Sequence, residues 1–197
     1  MNRKIRGRLF LIIGCLFILV ATGLFIFYDY QDAMAGQYSR ELLEEYLEHP
    51  PEYHHVAQNG APGEMLDTNI NGYAMAGIIQ IPKVNIQLPV LNQWSYELLQ
   101  IAPCRYSGSI NEGNLIILGH NYKSHFTPLK QCQKGDKVEF YDVNNQRYVY
   151  KIKKIQELHK TELDKLTSEE YDLTIFTCTY GGQSRFVARC KMVKGKK

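Results

Sequence analysis

A thiol, an imidazole and a guanidinium are together enough to run acyl transfer, and the chain sets one of each at the end of an apolar run. Residues 173–177 read Leu-Thr-Ile-Phe-Thr and stop at Cys178; after Thr-Tyr-Gly-Gly-Gln-Ser a second run opens on Arg185. An earlier run over residues 114–118 stops at Gly119-His120-Asn121. A thiol attacks a carbonyl well only as thiolate, so it needs a cationic or proton-accepting neighbour, and the developing oxyanion needs donors. Cys178 is therefore the candidate nucleophile, His120 the candidate general acid and base, and Arg185 the candidate guanidinium that holds the substrate carbonyl or the oxyanion. Singly, each has a plainer reading: a buried apolar Cys, a turn His after Gly, a solvated or ion-paired Arg on a strand.

Their neighbours divide by parity and distance. Arg189 shares a strand face with Arg185 because the two are four apart, whereas Cys190 has the opposite parity and is expected to face the core. His125, five residues along a loop from His120, is expected to be a bystander. Tyr122 and Tyr180 flank the three groups and are candidates to line a peptide groove, with ordinary packing as the alternative. Thr177 is a candidate support through its hydroxyl or backbone, or simply a β-former.

A sheet must hold these groups. Residues 173–177 and 185–193 read as strands joined by a loop, residues 114–118 as a buried strand, and residues 137–141 and 146–158 as a hairpin about Asn144-Asn145. Residues 73–89 read as two edge-like strands broken at Pro82. Short helices are expected over residues 94–101, over 125–132 with Thr127 as N-cap and Pro128 after it, and as a turn or two within 161–171. Seven or eight short antiparallel-type strands with few helices indicate an all-β barrel or sandwich.

The 197 residues leave room for one domain and an appendage. Residues 9–28 carry no charge, follow Arg3, Lys4, Arg6 and Arg8, and precede Asp29 and Asp32, which is the pattern of a membrane-spanning helix with a cytoplasmic N-terminus. Ala33-Met34-Ala35 suggests a signal-peptide cleavage site, but the apolar run is too long for a signal and polar residues part it from Ala35, so an uncleaved anchor is expected. Beyond it, residues 37–49 place Leu42, Leu43, Tyr46 and Leu47 at helical spacing among glutamates, an amphipathic stalk or cap ended by Pro50-Pro51. Residues 52–72, with Asn59-Gly60, Pro62-Gly63 and Asn71-Gly72, read as an extended linker in which His54 and His55, like His49 before it, are solvated, and residues 194–197 read as a frayed tail. The boundaries are 1–28, 29–72 and 73–197. Outside the span the charges are 19 basic against 20 acidic, so there is no electrostatic footprint for nucleic acid. Of the five cysteines Cys15 lies in the span; Cys104, Cys132, Cys178 and Cys190 lie outside it, where one bridge such as Cys104 to Cys132 is permitted, and no zinc spacing is present.

With these residues in place the chain resembles the sortases, membrane-anchored cysteine transpeptidases of Gram-positive bacteria. Thr174-Ile175-Phe176-Thr177-Cys178 is similar to the family's Thr-Leu-x-Thr-Cys signature with Ile for Leu, Leu118-Gly119-His120-Asn121 to its histidine block, and Arg185-Phe186-Val187-Ala188-Arg189 to its arginine strand. The segment from Ile79 to Val90 resembles its first strands, so the likeness covers about residues 73–193. The resemblance implies an eight-stranded β-barrel with short helices. It also implies that Cys178 attacks the Thr–Gly bond of an LPxTG-like signal on a secreted protein, that His120 protonates the leaving amine, and that an amine such as that of a peptidoglycan precursor resolves the thioacyl-enzyme. The active pair would be thiolate and imidazolium, a minor protonation state. No metal or organic cofactor is implied. Arg185 rather than Arg189 takes the third role because the family's arginine opens this strand. The N-terminal anchor, the lack of a C-terminal span, the missing Asp-Pro-aromatic lid and the short spacing from Cys178 to Arg185 speak for a class D-like or class B-like enzyme and against a pilin polymerase. A secreted cysteine peptidase that only hydrolyses, and a non-catalytic cell-surface scaffold, are the competing readings.

Overall fold

Period-two alternation and short apolar runs dominate the chain beyond residue 65, and in the computed structural model they become strands. The structure describes residues 3–50, 65–167 and 170–193. Its strands are β1 (Thr68–Ile70), β2 (Tyr73–Ile81), β3 (Ile86–Leu91), β4 (Cys104–Ser107), β5 (Leu115–Gly119), β6 (Lys137–Asp142), β7 (Arg147–His159), β8 (Leu173–Cys178) and β9 (Ser184–Met192). They run β1-β2-β3-β4-β5-β8-β9-β7-β6, and β6 pairs back onto β2. That last ladder, from Gly77–Asp142 to Gln80–Glu139, closes eight strands into a barrel and leaves β1 as an appended edge. The expected eight-stranded barrel is the observed one.

Two pairings are parallel, β5 with β8 and β3 with β4, where antiparallel neighbours were expected. The β6–β7 hairpin lies between β5 and β8 in sequence, so β8 returns beside β5 in the same direction. Both faces of that pair are covered, which explains why the strands read as unbroken apolar runs. Leu115, Ile117, Leu173 and Ile175 join the barrel interior with Phe126, Phe140 and Tyr150. Ile116, Leu118 and Phe176 face the other way, into a second core with Leu91, Leu99, Leu158, Leu166 and Val187.

The helix before the barrel, α1 (Arg3–Glu48), is one continuous element of 46 residues, not a span followed by a separate amphipathic piece. Nothing between residues 28 and 37 breaks it: no proline occurs there, and Ala33, Met34 and Ala35 are good helix formers. Its residues 7–30 are exposed on every side. Its second half buries Ala35, Ser39, Leu42 and Tyr46, and the two larger side chains enter the outer core beside Ile70 and Met75. Leu47, expected on that face, is exposed.

The end of the expected linker is also structured. Asn71 and Gly72 both take positive φ, 50° and 87°, and turn β1 onto β2 as an Asn-Gly hairpin, the Asn69 side chain accepting from Gly72 N. The remaining linker features, His54, His55, Asn59-Gly60 and Pro62-Gly63, lie outside the described residues, as does the tail from 194. The break at Pro82 is a 3-10 turn, and Pro89 is tolerated within β3 because β3 meets β4 only at Leu91. The helix expected over residues 94–101 is a single turn, α2 (Tyr96–Leu99), capped by the Ser95 hydroxyl oxygen accepting from Leu98 N. The segment after His125 is 3-10, and Thr127 is its first residue rather than its cap; its hydroxyl donates to the Asn121 carbonyl. All five cysteines are free thiols. Cys104 belongs to the outer core and Cys132 to the inner one, so the barrel wall separates the pair that the sequence permits to bridge.

Candidate active site

Strand register brings the three chemical groups together. Gly119 is opposite Thr177 in the β5–β8 ladder, so His120 and Cys178 follow side by side as each strand ends. Cys178 is opposite Arg185 in the β8–β9 ladder, a Cα separation of about 5 Å for antiparallel partners. Cys178 has the parity of Thr174 and Phe176, which puts its thiol on the outer face of the barrel. There His120, Cys178 and Arg185 line one cleft with Asn121, Leu118 and Phe176, walled by Trp94, Tyr96, Leu99, Tyr106 and Leu163. Its empty volume is about 650 Å³.

Each group has a local reason for its place. Gly119 lets β5 run hard against the core: a Cβ there would lie 2.3 Å from the Phe126 ring, so only glycine fits directly before His120. Gly181 and Gly182 take φ of 75° and 68° and turn the chain back so that β9 starts beside the nucleophile. Arg185 Nη1 donates to the carbonyls of Gly182 and Ser184 at 2.9 and 3.2 Å, which anchors one arm of the fork to that turn. Cys178 and Arg185 are both partly buried, open to the cleft and shielded behind. Burial lowers the pKa of His120 from its ordinary value, partly offset by the Asn121 side chain and the Asp32 charge, and so favours the neutral imidazole.

Arg189 does something different. It is buried, and donates to Thr174 Oγ1 at 3.0 Å and to the carbonyls of Lys165 and Leu166. It ties the 3-10 turn at Leu163–Leu166 onto the outer face and does not line the cleft. Cys190 is fully buried in the inner core, where burial pushes its thiol pKa far up, as its parity implied.

Thr177, Tyr122 and Tyr180 are not among the cleft residues. Thr177 points inward and is wholly buried. Tyr180 stands in solvent at 92% exposure. Tyr122 is buried behind His120, its ring stacked on the imidazole at 3.8 Å between centroids and 13° between planes.

The aromatic wall of the cleft has no periodic pattern in the sequence. Trp94 packs on Tyr106 at 5.5 Å and on Tyr96 at 5.9 Å, and Tyr106 stands edge-on to Phe176 at 5.4 Å. Trp94 and Tyr96 remain well exposed, an apolar surface beside the thiol. The signal available was the chain's single Trp beside a Ser-capped turn. An apolar trough ending in a thiol, an imidazole and a guanidinium can hold an extended peptide and attack one of its carbonyls.

Comparison with known proteins agrees with this geometry. A family model described as "Sortase domain" matches residues 79–193. The chain is similar to sortase A of Bacillus anthracis, 25% identical over 142 residues, which is 68% of this chain and 67% of that protein. Among solved structures it is similar to a Clostridium perfringens sortase D5 transpeptidase, with a TM-score of 0.59 and 18% identity over 82% of this chain and 99% of that one. It is also similar to sortase C1 of GBS pilus island 1, with a TM-score of 0.54 and 20% identity over 61% of this chain and 65% of that one.

Proposed function

Because the chain belongs to the sortase family of cysteine transpeptidases, we propose that it is a membrane-anchored enzyme that cleaves an LPxTG-like sorting signal between Thr and Gly and passes the protein to an amine acceptor. The observation that supports this most is the convergence of Cys178, His120 and Arg185 on one cleft through strand ends that register fixes.

The Cys178 sulfur, as thiolate, adds to the threonine carbonyl, and the Arg185 Nη2, uncommitted among the described residues, donates to the oxygen that takes up the charge. The Sγ–C bond is kept as the C–N bond breaks, and His120, having taken the thiol proton, gives it to the leaving glycine amine. An acceptor amine then adds to the thioester carbonyl, loses its proton to His120 and displaces Cys178. A peptidoglycan precursor is the acceptor that fits a cell-envelope enzyme. The aromatic wall of Trp94, Tyr96 and Tyr106 suits the apolar residues of the signal. Tyr180, exposed two residues after Cys178, is assigned to contact with the bound peptide, and Thr177, buried directly before Cys178, to support of the thiol's backbone.

The long apolar half of α1 fits a membrane anchor. We place residues 9–28 in the bilayer with the N-terminus cytoplasmic, residues 29–72 just outside, and the chemistry in residues 73–197.

The test is mass spectrometry of the detergent-solubilised chain incubated with sorting-like peptides, with and without triglycine. A thioacyl adduct on Cys178 and a product carrying triglycine are the expected results. A product that never incorporates the amine would leave a peptidase instead.

A further inference from the structure

Beside the hydrogen bond its ring makes to the Asn121 side chain, His120 lacks a second: its Nδ1 is buried and no protein atom among the described residues is placed to hydrogen-bond it. An imidazole used for proton transfer is ordinarily held by such a bond. In place of such a bond at Nδ1, the ring of His120 lies on the face of Tyr122, 3.8 Å away and nearly parallel. The Tyr122 ring is in turn met edge-on by His125, at 5.5 Å and 61°. His125 is fully buried, and its Nε2 lies 3.1 Å from Ser39 Oγ on α1.

Ser39 settles which nitrogen of His125 carries the proton. Its hydroxyl already donates to the Ile101 carbonyl at 2.6 Å, so towards His125 the oxygen can only accept, and Nε2 must be the donor. The same loop is fastened to α1 on the other side of His125. Asp32 accepts from the backbone N–H groups of Lys123 and Ser124 at 2.9 and 3.0 Å and from the Ser124 hydroxyl at 2.6 Å. Gly36 permits that approach, since a Cβ there would lie 2.8 Å from Ser124 Cβ.

We propose that His125 is a positioning residue for His120: pinned between Ser39 of α1 and the Tyr122 ring, it fixes the aromatic face on which the catalytic imidazole lies, so that the docked half of α1 sets the orientation of His120 in the cleft. The inference rests on the reading of His120 as the general acid. Burial keeps the His125 pKa at about 4, against the raising effects of the Ala35 backbone and, more weakly, of Asp32, so this ring is neutral in ordinary buffers and acts by shape, not by carrying protons. Facing the two histidines are Asp32 from α1, Asn121 and Tyr122 from their own loop, and Cys178 and Arg185 across the cleft.

The experiment uses the full chain in detergent micelles with ring-labelled histidine, comparing Tyr122→Leu with Tyr122→Phe, and Ser39→Ala and His125→Leu with His125→Gln. The His120 ring protons are expected upfield in the wild type, displaced by the Tyr122 ring current. Tyr122→Leu removes that displacement and lowers kcat about tenfold with KM within about twofold, the pattern of a misaimed catalytic group. Tyr122→Phe restores the displacement and most of the loss. Ser39→Ala and His125→Leu are expected to broaden or shift the His120 signals in the same direction, and His125→Gln to recover them. Equal spectra and equal kcat for Leu and Phe at position 122, or His120 ring signals unchanged in both Ser39→Ala and His125→Leu, would overturn the proposal, and Ser39→Ala decides the link to α1 even where His125→Leu fails to fold. If the chain shows no transpeptidation at all, the functional reading fails while the ring-proton shifts of Tyr122→Leu and Ser39→Ala still decide whether α1 positions His120.

Discussion

Arg185 and Arg189 lie four apart on one strand face, yet one ends its strand at the cleft beside Cys178 and the other is spent on two carbonyls and a hydroxyl beneath a 3-10 turn. Their lysine variants should therefore fail in different ways. Arg185→Lys keeps the charge but loses the fork that spans the Gly182–Ser184 turn and the oxyanion position, and should lower kcat/KM by about tenfold or more with the urea midpoint unchanged. Arg189→Lys leaves buried carbonyls at residues 165 and 166 short of donors and should cost about 2 kcal/mol in urea unfolding while the alkylation rate of Cys178 holds. His125 gives a pH signature of its own. In the unfolded chain it takes a proton near 6.5; in the fold it does not until about 4. Between those values the unfolded state holds the extra proton, so acidification favours unfolding, by about 3 kcal/mol over the whole window. His125→Gln should flatten that slope, read as urea midpoints from pH 7 to pH 4.

At the scale of the elements, Gly119 shows how closely the sheet aims its end residues. Gly119→Ala puts a methyl into the Phe126 ring, which is fully buried and has nowhere to go, so β5 must give instead. The expected result is about 1–3 kcal/mol of lost stability together with a slower Cys178 alkylation, because His120 is the next residue. Alternation and apolar runs made most strands legible: residues 114–118 and 173–177 could be read directly because both their faces are buried. What lies between elements was not legible. No periodicity in residues 137–142 tells that β6 will turn back on β2 and close the barrel, since closure is a long-range ladder. The aromatic wall was missed because Trp94, Tyr96 and Tyr106 come from a loop, a single helical turn and a four-residue strand, too short for any pattern. Tyr122 looked like a groove residue from its closeness to His120 in sequence, and the loop instead tucks its ring behind the imidazole.

The whole molecule joins a bilayer-length helix and a barrel through one docked stripe, Asp32, Ala35, Gly36, Ser39, Leu42 and Tyr46, at the three- and four-residue steps of a helix face. The stripe was half visible in advance: Leu42 and Tyr46 stood out among glutamates, while the small residues before them resembled a cleavage site and not a contact. Its apolar part should carry real stability, since burying a Leu or an aromatic side chain contributes about 1.5–3 kcal/mol and Leu42 and Tyr46 fill the outer core against Ile70 and Met75. Its polar part should act on the site, because Asp32 and Ser39 hold the loop that follows His120. Two shortened chains separate the contributions. One beginning at residue 31 keeps the whole stripe and should match the full chain in Cys178 alkylation and in hydrogen exchange of residues 121–125. One beginning at residue 50 loses it all; its barrel ladders remain, but its melting temperature should fall by on the order of 10 °C. Residues 121–125 should then exchange faster than the β5 and β8 ladder behind them, because their clamp is gone while the sheet is intact. Uniform acceleration across ladder and loop together would show instead that α1 merely supports the barrel and that the histidine loop holds its own shape.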